Sequence, residues 1–190
     1  MTWADMGGYG TITYLLNGEA SNDLDLLKSL RSGLLEEAEQ LIQASSKNGY
    51  LITLLSEDYI WGSNMELMNQ AMTLLFAYHL TGDEKFETTA LNNVHYLFGR
   101  NSLDISYVTG FGSRSVMHPH HRPSVGDQVD APIPGLVIGG PDAGLNDECA
   151  GKHLQGKPPA QCFIDHEDSY STNEVTIYWN SSALFALSHY

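Results

Sequence analysis

Basic residues are scarce in this sequence: 9 Lys and Arg stand against 23 Asp and Glu in 190 residues, a formal charge of −14. A surface of that sign repels polyanions at long range, which argues against nucleic acid and anionic membranes as partners. Long apolar runs are missing as well. Nothing approaches the roughly 18–20 residues of a bilayer-crossing helix, and Met1-Thr2-Trp3-Ala4-Asp5 lacks the basic, apolar, small-residue order of a signal peptide, so the chain is expected to be soluble. Cysteine is limited to Cys149 and Cys162. Closing them into a ring would stabilise the fold by about 3 kcal/mol in the entropic account and would require an oxidising compartment. Two free thiols are the alternative, and Cys-x12-Cys lacks the paired short spacings of a zinc site, even with His153 and His166 nearby. A phosphate cradle is missing too: Gly7, Gly8 and Gly10 have no Lys after them and no dinucleotide-fold spacing, and read instead as a helix start packed closely against a neighbour.

What is present is enough apolar material, 42% of the residues, to bury the core of one domain. Leu27, Leu30, Leu34, Ala38, Leu41 and Ala44 recur at intervals of three and four with Glu36, Glu37, Glu39 and Gln40 turned away, which predicts an amphipathic helix from about 22 to 46. Asn48-Gly49 stops it. A second helix, capped by Ser63 or Asn64, carries Leu67, Met68, Ala71, Leu74, Leu75 and Tyr78 inward until Thr81-Gly82-Asp83, and a third buries Phe86, Ala90, Val94 and Leu97 before Gly99. Short connections favour antiparallel neighbours. From Asn101 to about Glu167 the helical period vanishes, yet the stretch keeps many apolar and aromatic residues, which predicts an ordered loop region. A final helix holds Val175, Ile177, Tyr178, Ala183, Leu184 and Leu187. The fold class is all-α, about five helices with a long ordered loop region before the last, in the manner of a helical toroid.

Two dense clusters stand in that loop region. The first runs from Val108 to Ser124 and places His118, His120, His121, Arg114 and Arg122 close together in a chain with few cations, a concentration of donors suited to a ligand rich in hydroxyl or carboxylate oxygens. A surface loop paired with local acids is the plainer reading, and three His without regular spacing do not specify a metal. The second runs from Phe163 to Glu174 with Asp165, Glu167, Asp168 and Glu174. Crowded like charges are one way a carboxyl group is kept protonated for general-acid work. The alternative is a solvated acidic turn in which Asn173 or Thr172 caps the last helix and Glu174 complements its N-terminus.

At these clusters the chain resembles the family 9 glycoside hydrolases, the inverting cellulases. The first carries the Ser-x-Val-Thr-x-x-Gly-x-Arg run at Ser106 to Arg114 and then Pro119-His120-x-Arg122; the second carries Phe163, Asp165, Tyr170, Glu174, Thr176 and Asn180-Ser181. Trp3-Ala4-Asp5, Tyr59 to Asn64, Tyr96 to Asn101 and Gly139-Gly140-Pro141 extend the likeness over essentially the whole chain. The resemblance implies a portion of an (α/α)6 toroid, with Glu174 as proton donor to the glycosidic oxygen, Asp165 as the accompanying carboxylate and His120 as an active-site histidine. It implies Arg122 as a donor to sugar hydroxyls, and Trp61 and Trp179 as aromatics facing sugar rings, with core packing the alternative for both. It also implies cellulose or β-glucan oligosaccharides as partners, an extracellular location, and no cofactor for the chemistry. Structural calcium belongs to the same expectation, with Asp142 to Glu148 offering oxygen ligands but no EF-hand spacing and hence no specific ligand set.

One departure sets the limits of the likeness. Inversion needs a second carboxylate, about 6.5–9.5 Å from the acid, to activate water. In the family it lies in an Asp-Ala-Gly-Asp pattern, whereas here Asp142-Ala143-Gly144 is followed by Leu145 and reads as a turn. Residues 1–190 are therefore expected to be the C-terminal portion of a catalytic domain whose N-terminal half, with the base, is absent. Helices made for absent partners should then expose apolar faces. The alternatives are a catalytically inactive, carbohydrate-binding remnant and a metal-binding module of His118, His120, His121, Cys149 and Cys162.

Overall fold

Helix α1 (Gly7–Leu16) and helix α2 (Leu24–Ser45) open a computed structural model that describes residues 6–17 and 23–190. The Trp3-Ala4-Asp5 match and residue 22, where a helix start was expected, lie outside those residues. Asp23 caps α2 by accepting the Leu26 N–H at 2.9 Å. The expected face is realised: Leu34, Ala38 and Ala44 are buried while Glu36, Glu37 and Gln40 stay exposed. Close packing does not explain Gly10, because a side chain there would meet nothing within 4 Å.

Helix α3 (Ser63–Thr81) is the centre of the fold, and it packs against α2, helix α4 (Glu84–Leu97) and helix α8 (Ile177–Leu187). Neighbours on several sides demand an apolar surface almost all round, and Leu67, Met68, Ala71 and Leu74 are fully buried. Each large side chain so buried contributes about 1.5–3 kcal/mol. The cap of α3 is Gly62, in the left-handed region, and neither Ser63 nor Asn64. Those two lie inside the first turn and reach sideways: Ser63 Oγ donates to the Pro141 carbonyl at 2.7 Å and Asn64 Nδ2 to the Ile138 carbonyl at 2.9 Å. They tie the helix to the loop region instead of ending it. Asp83 caps α4, and Phe86, Ala90, Val94 and Leu97 are buried as the periodicity predicts.

The stretch from Asn101 onward is ordered by side chains and isolated bridges. Asn101 Nδ2 donates to the Tyr96 and Ile105 carbonyls at 2.9 and 2.8 Å, which fixes the exit from α4. Val108 pairs with Val137 and Ile138 with Val175, while His120 pairs with Glu174 in parallel register. Three short helices punctuate the region: α5 (Arg122–Gly126), α6 (Glu148–His153) and α7 (Tyr170–Asn173). The all-α expectation holds among the described residues, with five long helices and these three short ones.

Helix α8 begins later than the sequence implies. Thr176 caps it by accepting the Trp179 N–H at 3.1 Å, so neither Thr172 nor Asn173 is its cap and Glu174 lies outside its first turn. Glu174 instead ends α7 in extended conformation, between two helices. The outer side of α8 is unpartnered: Ile177 is 93% and Leu184 70% exposed, beside a groove of about 700 Å³ walled by Phe98, Phe111, Val137 and Leu187. Cys149 and Cys162 are free thiols, so no ring is closed between them. Burial pushes both thiols up, with Asp147 adding to it at Cys149 and Asp142 at Cys162.

Candidate active site

Three chain segments meet where Glu174 sits. Its carbonyl accepts the Gly139 N–H at 3.0 Å, and the preceding Asn173 carbonyl accepts the His120 N–H at 2.9 Å. The backbone of residues 173–174 thus lies between the 139–140 strand-like segment and the histidine loop, which brings the two sequence clusters side by side. The Glu174 carboxylate is half-buried, and its Oε2 accepts the indole Nε1–H of Trp61 at 3.1 Å.

His120 is held with equal definition. Its Nδ1 lies 2.6 Å from the Glu167 carbonyl oxygen. A carbonyl only accepts, so Nδ1 carries the hydrogen and Nε2 is the nitrogen left to meet a ligand. Tyr170 stands between the two groups, with its ring 5.3 Å from that of Trp61 and 6.0 Å from that of His120. The three form an exposed aromatic row beside Glu174. Trp61 is 38% and Tyr170 37% exposed, and flat apolar faces of this kind suit the C–H surface of a pyranose ring.

Arg122, the first residue of α5, is exposed and lines a groove of about 290 Å³ with His120, His121, Val125, Glu167 and Asp168. Among the described residues no hydrogen bond or ion pair holds its guanidinium, so its donors are free for a ligand. Asp165 is placed differently. Its two oxygens accept the Met117 and His118 N–H groups, each at 2.8 Å, which anchors the loop just before His120. It is the geometry of a group that positions His120.

Trp179 departs from the expected sugar-facing role. Only 8% exposed, its ring lies under Gly62 and Gly139: a Cβ at either glycine would come within 3.0 Å of it. Gly62 also has φ +88°, a conformation that L side chains rarely adopt. Trp179 is therefore the floor beneath the segments that carry Trp61 and Glu174, and core packing is its role.

The acidic loop is built on bonds to its own backbone. Both Asp142 oxygens accept backbone N–H groups, from Gly144 at 2.9 Å and Asn146 at 3.0 Å, so Asp142-Ala143-Gly144 is the turn that its sequence suggests. Asp147 accepts from Ala150 N at 2.7 Å, Ser171 N at 2.9 Å and Ser169 Oγ at 3.0 Å. Burial pushes this carboxyl up, and the bonds from Ala150, Ser171 and Ser169 outweigh it, leaving the group below the ordinary aspartate value. The oxygens of Asp142 and Asp147 thus hold the turn and the starts of α6 and α7 together. The histidines and cysteines do not form a metal module: among the described residues no three His, Cys, Asp or Glu side chains converge. The sequence alone does not mark Asp147 or Tyr170 as a site residue. Tyr170 at least stands in the second motif, whereas the Glu167 carbonyl that orients His120 is a backbone atom and leaves no trace in the sequence.

The Glu174 carboxyl group, the oriented His120 imidazole, the Arg122 guanidinium and the aromatic row are of the chemical class that suits a ligand rich in hydroxyl groups. The comparisons with known proteins agree with that class. The family model for glycosyl hydrolase family 9 matches residues 1–187, and the chain belongs to that family. It is 43% identical over 188 residues to a cellodextrinase of Butyrivibrio fibrisolvens, covering 98% of this chain and 34% of that one. It is 37% identical over 190 residues to a xyloglucan-specific endo-β-1,4-glucanase of Bacteroides ovatus, covering 97% and 32%. Its fold superposes on a thermostable endoglucanase of Alicyclobacillus acidocaldarius with a TM-score of 0.94 and 45% identity, over 99% of this chain and 36% of that one. A structure of AaCel9A with a cellobiose-like isofagomine matches with the same TM-score at 46% identity. The helices are thus part of an (α/α)6 barrel. The chain spans about a third of the length of the relatives it matches.

Proposed function

We propose that this chain is the C-terminal portion of a catalytic toroid that hydrolyses β-1,4-glucosidic bonds in cellulose or a related β-glucan with inversion, and that Glu174 is its general acid. The observation that carries the reading is the half-buried Glu174 carboxylate in register with His120 and beside exposed Trp61 and Tyr170. A sugar lying on that row would bring a glycosidic oxygen to the carboxyl group. Glu174 gives its proton to this leaving oxygen as the C–O bond breaks, and a water activated by a second carboxylate attacks the opposite face of the sugar. Neither His120 Nε2 nor the Arg122 guanidinium moves that proton; they bind hydroxyls and fix the ring. Asp165 acts through the loop that it anchors. The base comes from the N-terminal portion of the toroid, which would also cover the apolar side of α8. A polymeric substrate fits an extracellular location, and no helix of the described residues is long and apolar enough to cross a membrane.

The test is Glu174→Gln in a polypeptide that joins this chain to the N-terminal part its relatives possess. Turnover of β-glucan should fall by about 10²–10⁴-fold, the range that general-acid catalysis contributes, with cellodextrin binding retained. Turnover near that of the unaltered protein would refute the assignment. A non-catalytic, carbohydrate-binding role has one observation in its favour: both oxygens of Asp165 are engaged by backbone amides, so the second carboxylate of the motif is not free to activate water. Hydrolysis of soluble β-glucan by this chain alone would exclude that role.

A further inference from the structure

We infer that Trp61 is a positioning residue for the general acid, acting through its indole N–H on Glu174 and not only through its ring face. The inference rests on Glu174 being the acid. Indole nitrogen has one hydrogen and no lone pair to offer, so at 3.1 Å from Oε2 it can only donate. An oxygen that accepts this bond is a poor place for the carboxyl proton, which is therefore directed to the other oxygen, Oε1. That orientation matters for a side chain with freely turning torsions, because only one rotation presents the proton to a bound sugar.

The donor also acts during the reaction. As the O–H bond of Glu174 breaks and its hydrogen bonds to the leaving glycosidic oxygen, negative charge develops on the carboxyl group. A fixed N–H aimed at Oε2 is stronger against a carboxylate than against a neutral acid, so its contribution grows toward the transition state. The fold fixes the donor from three sides. Gly62 turns the chain just after Trp61, the buried ring of Trp179 supports Gly62, and the same ring supports Gly139, whose N–H binds the Glu174 carbonyl. One rigid ring thus sets the separation between donor and acceptor. Tyr170 packs against the exposed Trp61 ring and restrains its rotation.

Replacing Trp61 by Phe keeps an aromatic face and removes the N–H. The effect should depend on how much help the leaving group needs. In the completed toroid, Trp61→Phe is expected to lower kcat on a cellodextrin, whose alkoxide leaving group requires a proton, by about 10–100-fold, in line with one charge-assisted hydrogen bond, with KM within about threefold. On 2,4-dinitrophenyl β-cellobioside, whose phenolate departs without protonation, kcat should return to within about threefold of the unaltered protein. Equal losses on both substrates, or a rise in KM alone, would overturn the inference and leave Trp61 as a sugar platform or a structural residue. Glu174→Gln run on the same pair separates the two ideas: the same leaving-group pattern there, without it in Trp61→Phe, removes only the Trp61 inference. If Glu174→Gln loses nothing on the cellodextrin, the acid assignment itself falls. In 15N-labelled chain, the Trp61 indole signal should move on Glu174→Ala while that of Trp179 holds; an unmoved Trp61 signal would show that the bond is not made in solution.

Discussion

Replacing Asp147 should loosen the fold just behind Glu174, and the size of the effect follows from its bonds. The carboxylate is 5% exposed, caps α6 through Ala150 N and holds Ser169 and Ser171 at the start of α7, the helix that Glu174 ends. Losing an Asp cap costs about 1 kcal/mol. A hydrogen bond to a charged group contributes about 1.5–3 kcal/mol, and the Ser171 N–H is left buried without that partner. Asp147→Ala should therefore cost about 3–5 kcal/mol, a large part of the roughly 5–15 kcal/mol that holds a domain. At a urea slope of about 2 kcal/mol per M the midpoint falls by about 1.5–2.5 M. Asp147→Asn should cost less, because one oxygen still accepts from Ala150 while the amide nitrogen meets the Ser171 donor. The pH dependence gives the sharper check. The folded-state value of this carboxyl lies below the unfolded one, so its stabilisation is complete above the unfolded value of about 3.9 and is lost as pH falls through the folded value. Urea titrations followed by circular dichroism should show a wide gap between the wild-type chain and Asp147→Asn at pH 7 that narrows below pH ~4. A gap under about 1 kcal/mol at pH 7, or one that does not narrow in acid, would refute the account.

Two further outcomes follow from exposed groups. Arg122→Ala should weaken cellotetraose binding by about 10-fold or more without changing the urea midpoint, since the guanidinium is exposed and free of protein partners among the described residues; calorimetric titration checks it. Ile177→Ser combined with Leu184→Lys should shift this chain toward monomer in size-exclusion chromatography, because both side chains lie on the unpartnered side of α8. The same pair in a completed toroid should lower its thermal midpoint, and unchanged behaviour in both settings would show that this face stays uncovered.

How much of this could be read in the sequence depended on whether the signal was periodic or long-range. Helices α2, α3, α4 and α8 follow from apolar spacing, because a helix face must meet the core every three or four residues. Their ends follow less well. Ser63 and Asn64 are good cap residues by type, yet their side chains are drawn to the Pro141 and Ile138 carbonyls far along the chain, and a long-range bond outranks a local preference. Thr176 caps α8 for a related reason: the carbonyls of residues 172–174 accept from Gly140, His120 and Gly139 far along the chain and are not left for the i+4 bonds of a helix beginning there. The motifs named Glu174, His120 and Asp165, but only the fold separates a carboxyl group bonded to an exposed indole from one turned to backbone amides. Trp61 and Trp179 look alike as sequence. What divides them is the pair of glycines above Trp179, a relation between positions 62, 139 and 179 that no local pattern encodes.

That relation also explains why the site tolerates so long an irregular stretch. Loops are mobile when few buried contacts hold them, and the wall around Glu174 is built mostly from loop. The wall is nonetheless seated on α3 and α8, two helices that pack on each other through the core. Gly62 and Ser63 begin α3, Trp179 lies in the first turn of α8, and residues 139–141 are bonded to the α3 side chains and lie against the Trp179 ring. Rigidity at Glu174 is thus borrowed from the helix core through one buried indole, whereas the His120 ring and its loop depend on the Glu167 carbonyl and Asp165. The Trp61–Glu174 bond should accordingly keep its geometry when the Asp165 carboxylate is removed, and the His120 ring should not.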